Sequence, residues 1–240
     1  MAIQEEQQKP KHADSSKEQI IMQTARGLYI DLYNISANEL FIEDIAHSLG
    51  NQCRYGGHTH EFYSVAEHSV LASKIGEFFC EQFPNEMAQL LGIDDVGGLD
   101  GIRNEYLLGL LMHDASEAYL SDVITPIKRK LGDYLLIEER IQKKIEGLLG
   151  LHFSRPEESA AIKMVDIFML IIESLHLMID PQPMIDTEFP KLPQFVQEWF
   201  REDFDIDAHG WMVPMPLLPK PAKQAFLDHF DIRVEAMEAA

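Results

Sequence analysis

The most constraining stretch of this chain is Tyr106–Ser121, YLLGLLMHDASEAYLS, where an apolar run ends in a histidine and an aspartate side by side. Leu107, Leu110 and Leu111 recur at helical spacing and Met112 is also apolar, so the segment reads as a buried helix. A buried helix carries an imidazole and a carboxylate only where partners for them exist. Glu117 follows three residues after Asp114 and four after His113, which on a continuous helix places it on the same side. The alternative is a helix end turning to solvent, and the rest of the chain decides between the two.

Two other apolar segments carry an ionisable group. Ser64–Phe79 opens with Ser64 as cap and Glu67 three residues on, the pattern of a capping box. On its apolar stripe of Val65, Ala72, Ile75 and Phe79 sits His68. Glu157–Met178 is a strong helix in which Met164–Ile172 reads MVDIFMLII, with Asp166 its one polar residue. An isolated carboxylate there costs several kcal/mol or is protonated. A metal ion, a buried base or a hydrogen-bonded acid resolves the problem. His68, His113, Asp114 and Asp166 together give two imidazoles and two carboxylates, a set whose charge matches one divalent cation. Nitrogen and oxygen donors without thiolate suit Mn, Co, Fe, Ni or Zn better than calcium.

Composition limits the partners. The chain has 240 residues, 46% of them hydrophobic, enough for one sizeable core and a single domain of residues 18–240 behind a polar, disordered tail of residues 1–17. The formal net charge of -20 disfavours nucleic-acid polymers and acidic membranes. Cys53 and Cys80 form no CxxC pair. No secretory or membrane-spanning run is present in the sequence, and the expectation is a cytoplasmic protein.

The remaining segments predict more helices. Ser36–Leu49, capped by Asn38 and stopped by Gly50, is one; Asp133–Leu149, closed by Gly150, is a second; Phe195–Phe204 and Ala222–Ala239 complete the set. Leu28–Leu32 is a short extended piece. Thr125-Pro126 breaks the central helix, and GIDDVGGLDGI over residues 92–102 reads as a solvated insertion. Lys128, Arg129 and Lys130 form the one dense cationic cluster. Arg54, His58 and His60 flank Gly56-Gly57, which suits anion binding and equally suits a solvated loop. The fold class is all-α, with the ionisable residues presented into the core of a helical bundle.

The order H…HD…D, in the contexts YSVAEHS, LMHDASEAYLSDVITPIK and MVDIFML, resembles the HD-domain metal-dependent phosphohydrolases, in particular the bacterial 5'-deoxynucleotidases. The likeness runs from about residue 44 to residue 176, with residues 195–240 a helical extension. It implies an HD-domain helical bundle holding one divalent metal on His68, His113, Asp114 and Asp166. Glu117 then matches the acid beside the metal's water, Asp122 an aspartate near the substrate, and Arg54 an arginine facing the phosphate. The surroundings of Arg54, CRYGGHTHEF, and the acidic insertion depart from the nucleotidase pattern. The implied activity is hydrolysis of a deoxynucleoside 5'-monophosphate to nucleoside and phosphate. Triphosphate hydrolysis releasing tripolyphosphate is the alternative within the same chemistry, and a non-catalytic nucleotide-binding sensor the alternative outside it. The resemblance also implies a homodimer, to which Phe195, Trp199, Phe200 and Trp211 are candidate contributors.

Overall fold

A computed structural model describes residues 19–151, 156–205 and 207–239. The expected tail of residues 1–17 lies outside these. Two strands, β1 (Ile21–Gln23) and β2 (Tyr29–Asp31), pair antiparallel with Met22 opposite Ile30. All other regular structure among the described residues is helical: α1 (Ile42–Asn51), α2 (Val65–Gln82), α3 (Pro84–Leu90), α4 (Leu99–Met112), α5 (Glu117–Leu120), α6 (Thr125–Lys128), α7 (Gly132–Leu149), α8 (Pro156–Leu177), α9 (Gln182–Glu188), α10 (Gln194–Glu202) and α11 (Pro219–Glu238). The all-α class holds.

Helices α2 and α4 form the spine, because each is apolar on two sides. One side of the pair meets α3, α8 and α10 through Phe79, Leu107, Phe168 and Val196. The other meets α1, α7 and α11 through Val65, Leu108, Ile141 and Phe226. Each such side chain is fully or nearly fully buried, stabilising the fold by roughly 1.5–3 kcal/mol. Phe195, Trp199 and Phe200 pack into the chain's own core, while Trp211 stays half-exposed.

Several local expectations are corrected. The helix predicted from Ser36 begins at Ile42; residues Ala37–Glu39 form a separate 3-10 turn with Glu39 accepting from the Ser36 N–H. Gly50 does not stop α1 but lies inside it. A Cβ there would sit 2.9 Å from the Pro219 carbonyl oxygen, so glycine allows α11 to approach. Gly150, by contrast, ends α7 in the left-handed region at φ 69°. The insertion at 92–102 is a loop only in its first half; Leu99 is buried and already belongs to α4. Pro126 starts a helical turn, since a missing N–H costs nothing in a first turn. The Pro-rich connection after α8 contains α9.

Helix α4 ends at Met112 rather than running on to Ser121. The next residues close three-residue turns: Ala115 N–H to Met112 O at 3.1 Å, Glu117 N–H to Asp114 O at 3.0 Å, and Ala118 N–H to Ala115 O at 3.2 Å. Gln142 of α7 services the break, donating to Met112 O and accepting from Ser116 N–H.

Candidate metal centre

His68 is set in place by the first turn of α2. Ser64 accepts from the Glu67 N–H, and Glu67 accepts from the Ser64 N–H, so the box read in the sequence forms. Such a cap is worth about 1 kcal/mol. Glu67 also accepts from Leu217 N–H at 2.7 Å, which straps the extended segment before α11 across the start of α2. His68, in the next position, is fully buried.

Opposite it, the tightened turn after α4 aims two consecutive side chains at one point. His113 Nε2 lies 3.2 Å from His68 Nε2. Asp114 Oδ2 is 3.3 Å from His113 Nε2 and 3.7 Å from His68 Nε2. Asp166, on α8, places Oδ1 3.7 Å from His68 Nε2, while its Oδ2 takes Lys163 Nζ at 2.5 Å. His68, His113 and Asp114 form a group with one ligand atom each within 4.8 Å of the others.

Proton placement decides what this cluster needs. His68 Nδ1 is 2.6 Å from Glu173 Oε1, and a buried carboxylate accepts, so that nitrogen carries the proton. His113 Nδ1 donates to Leu110 O at 2.7 Å. With both Nδ1 atoms protonated, the two Nε2 atoms turn toward each other and toward two carboxylates, an arrangement that could hold a cation. Two ligand bonds of about 2.1 Å at an angle near 100° span about 3.2 Å, so the two nitrogens already stand at the spacing of a shared ion. In the absence of such an ion a proton answers the same demand. Burial resists charging His113, but Asp114, with Asp166 behind it, pushes its pKa up to about 9. Burial likewise works against Asp114 and Asp166, and His113, above all, holds both below the usual carboxylate range.

A further carboxylate supports the cluster and was not singled out in the sequence. Glu173 is completely buried, one turn-pair beyond Asp166 on the same face of α8. It accepts from His68, from Tyr55 OH at 2.5 Å and from Arg54 Nε at 3.3 Å. Burial opposes its charge, yet Arg54 and His68 hold its pKa down at about 2. Its legible signal is the seven-residue spacing from Asp166 inside an apolar helix. A carboxylate behind a ligating imidazole fixes both the ring's tautomer and its aim.

Arg54 sits in a 3-10 turn, Arg54–Gly57, in which Tyr55 takes a left-handed φ of 56°. Its NH1 lies 3.5 Å from Asp114 Oδ2, so the guanidinium borders the cluster directly. His58 and His60 form no part of the cluster; the His60 N–H donates to Leu177 O and docks the loop on the end of α8.

Glu117 opens α5 rather than riding on α4, and is buried. Its Oε1 accepts from Lys128 Nζ at 2.9 Å, and Lys128 also reaches Glu138 at 2.6 Å. Its Oε2 has no hydrogen-bond partner among the described residues. Burial, followed by the charge on Asp114, pushes the Glu117 pKa up to about 8 against the pull of Lys128. Asp122 lies just past α5, and its N–H donates to Gln52 Oε1 at 2.9 Å. Burial raises its pKa, opposed chiefly by Arg54.

The fold and these contacts define an all-α protein with a His–His–Asp group able to hold a metal ion. No protein-family model matches the chain. It is 34% identical over 159 residues to the uncharacterized protein YfdR of Escherichia coli, an alignment spanning 66% of this chain and 73% of YfdR. It is 33% identical over 144 residues to the uncharacterized protein RCAP_rcc00048 of Rhodobacter capsulatus, spanning 58% of this chain and 64% of that protein. The chain belongs to the family of YfdR. No described helix is long and apolar enough to cross a membrane.

Proposed function

We propose that this chain is a metal-dependent phosphohydrolase of the HD-domain type, hydrolysing a deoxynucleoside 5'-monophosphate to nucleoside and phosphate. The observation that carries the reading is the pair of opposed Nε2 lone pairs at 3.2 Å, flanked by Asp114 and Asp166. His68, His113, Asp114 and Asp166 would hold one divalent ion of the Mn, Co, Fe, Ni or Zn type. When bound, such an ion supplies positive charge to a phosphoryl oxygen and lowers the pKa of water.

The chain's own groups do the remaining work. Glu173 keeps the His68 Nε2 lone pair aimed into the cluster. Arg54 faces the same point from the side of Asp114 and can donate to a phosphate oxygen. Glu117 offers a buried, unpartnered Oε2 on a carboxyl with pKa near about 8, suited to passing a proton to or from water or the leaving alcohol. Lys128 holds the other oxygen and so fixes where Oε2 points. A cation on Asp114 would cancel part of the charge that raises Glu117. Asp122, whose charge interacts with Arg54, would meet the substrate beside the phosphate.

The state of Lys128 favours one phosphate over three. It is committed to Glu117 and Glu138, while Arg129 and Lys130 are exposed. Arg54 is therefore the buried cation at hand for a phosphate, which suffices for a monophosphate.

The test is to incubate metal-loaded protein with dAMP and dATP separately and identify products by ion chromatography. Orthophosphate and deoxyadenosine from dAMP are expected; tripolyphosphate from dATP with dAMP untouched selects triphosphate cleavage. Glu117→Gln should keep its metal and lose roughly 10²–10⁴ in turnover. Release from neither nucleotide with any of the five metals would leave the non-catalytic sensor as the better reading.

A further inference from the structure

Four of the proposed site residues, His113, Asp114, Glu117 and Asp122, lie in one irregular stretch between α4 and α7. Its two helices, α5 and α6, are four residues each, and Ser121 between them takes a left-handed φ of 70°. Helical turns this short do not hold themselves in water, so the stretch takes its shape from its neighbours. On one side Gln52, at the end of α1, donates to Glu117 O, and Ser48 donates to Ala118 O at 2.7 Å. On the other side stands α7, which supplies none of the four proposed metal ligands.

Three polar residues of α7, Tyr134, Glu138 and Gln142, recur every four positions and so lie in one row along the helix. Tyr134 OH donates to Ser121 O at 2.7 Å. Glu138 Oε1 accepts from Lys128 Nζ at 2.6 Å. Gln142 holds Met112 O and the Ser116 N–H. Ile137, Ile141 and Ile145, buried beside the row, anchor α7 to the core. The row therefore grips the stretch at its start, its middle and its end.

The grip on Lys128 bears on the chemistry. Its ammonium stands between two carboxylates, 2.9 Å from Glu117 Oε1 and 2.6 Å from Glu138 Oε1. A lysine head rides on a flexible stem. With Glu117 as its one partner it would be free to slide between both oxygens of that carboxylate, or to leave for an incoming phosphate. Glu138 removes that freedom through a second charge-assisted bond, in a pair whose side chains are only 21% and 17% exposed. Glu117 Oε1 is then occupied, and Oε2 is left without a partner among the described residues.

We propose that Glu138 is a positioning residue for the hydrolysis: it pins Lys128 on Glu117 Oε1 and so keeps Oε2 free and aimed for proton transfer. This rests on the phosphohydrolase reading, with Glu117 as the group that handles the proton.

In metal-loaded protein, Glu138→Ala should lower kcat for dAMP about tenfold or more, with KM within about twofold and bound metal unchanged. Glu138→Gln keeps an oxygen for Lys128 and should recover most of that loss. Adding Glu138→Ala to Glu117→Gln should cost nothing further, because the effect runs through Glu117. An equal fall in both backgrounds overturns the proposal, as does an unchanged kcat in Glu138→Ala. Loss of metal in that variant also overturns it, since Glu138 would then only support the fold of the stretch. If the wild type hydrolyses neither dAMP nor dATP, the phosphohydrolase reading fails by itself, and amide hydrogen exchange judges the pinning. Glu138→Ala should then speed exchange across residues 117–128 at least about fivefold while α2 and α8 keep their protection; unchanged exchange overturns it.

Discussion

Helix α2 carries two charge networks, one near each end, and they are built from the same side-chain types. Near its C-terminal end, Glu77 accepts from Arg233 NH2 at 2.6 Å and from Arg103 NH2 at 3.3 Å, Arg103 also pairs with Glu81, and Arg233 Nε donates to His229 Nε2 at 3.3 Å. Two carboxylates face two guanidiniums, and the imidazole is neutral because its Nε2 accepts. This network is complete within the chain. Near the N-terminal end, Asp114 and Glu173 face one buried guanidinium, Arg54, while Asp166 pairs with the exposed Lys163. The Nε2 atoms of two imidazoles converge there at 3.2 Å. One network closes its charge with two guanidiniums and tethers α11 to α2; the other closes it only by keeping a proton on His113, at the place where a metal ion could stand instead. Residue type does not separate the two, although the C-terminal network is the more exposed. Charge balance and the direction of the lone pairs do.

The largest expected break in this comparison comes from deleting a ligand. His113→Ala or Asp166→Ala should cut bound divalent metal to under about a tenth of the wild-type content, with activity falling at least ~10³-fold. Metal analysis of the purified variants checks it, and full occupancy in Asp166→Ala would remove that residue from the set. Glu77→Gln, at the other end of the same helix, should leave metal content unchanged.

Next in size is the support for His68. Glu173→Gln keeps the shape but removes the charge that holds the Nδ1 proton, and metal affinity should fall by about 10–100-fold. Competition with a chromophoric chelator measures this. An unchanged affinity would mean that the Glu173–His68 contact only packs α8 against α2.

The balanced network should answer in stability instead. Arg233→Met leaves Glu77 without its main partner, and burial of the remaining carboxylate should cost about 1–3 kcal/mol in urea unfolding, less than for a fully buried pair because Glu77 is partly exposed. The metal site should be unaffected.

The smallest effect is a pH dependence at His229. Burial, with Arg233 and Lys74 nearby, lowers its pKa to about 4, against about 6.5 for an unfolded histidine. Between those values the unfolded chain binds the proton and the folded chain does not, so stability is lost as pH falls from about 6.5 to about 4. The loss should be on the order of 1–2 kcal/mol and should be absent in His229→Gln. A wild-type profile flat over this range would contradict the assignment.

Much of the centre was legible in the sequence because an ionisable residue in an apolar helix has few explanations. His68 beside a capping box, His113-Asp114 at the end of a leucine run and Asp166 in MVDIFMLII each announced a cost that something must offset. His68, His113 and Asp114 come together in one group, and Asp166 lies beside it with Oδ1 3.7 Å from His68 Nε2. Glu173 stands in the same kind of context. Its spacing from Asp166 was visible, but nothing local says that a buried glutamate answers an imidazole on another helix.

The sequence by itself determined the helical class, the α2 cap, the closure of α7 at Gly150 and the apolar faces, because these depend on neighbours within a turn or two. Tertiary structure decided the rest. It ended α4 at Met112, since Gln142 of α7 satisfies the exposed backbone of a tighter turn there. It made Gly50 a contact for α11 rather than a helix stop. It turned Lys128 from a free cation into the partner of Glu117 and Glu138. Each of these outcomes pairs groups tens of residues apart or depends on how separate elements pack, and no periodicity or spacing along the chain encodes which distant group will be the partner.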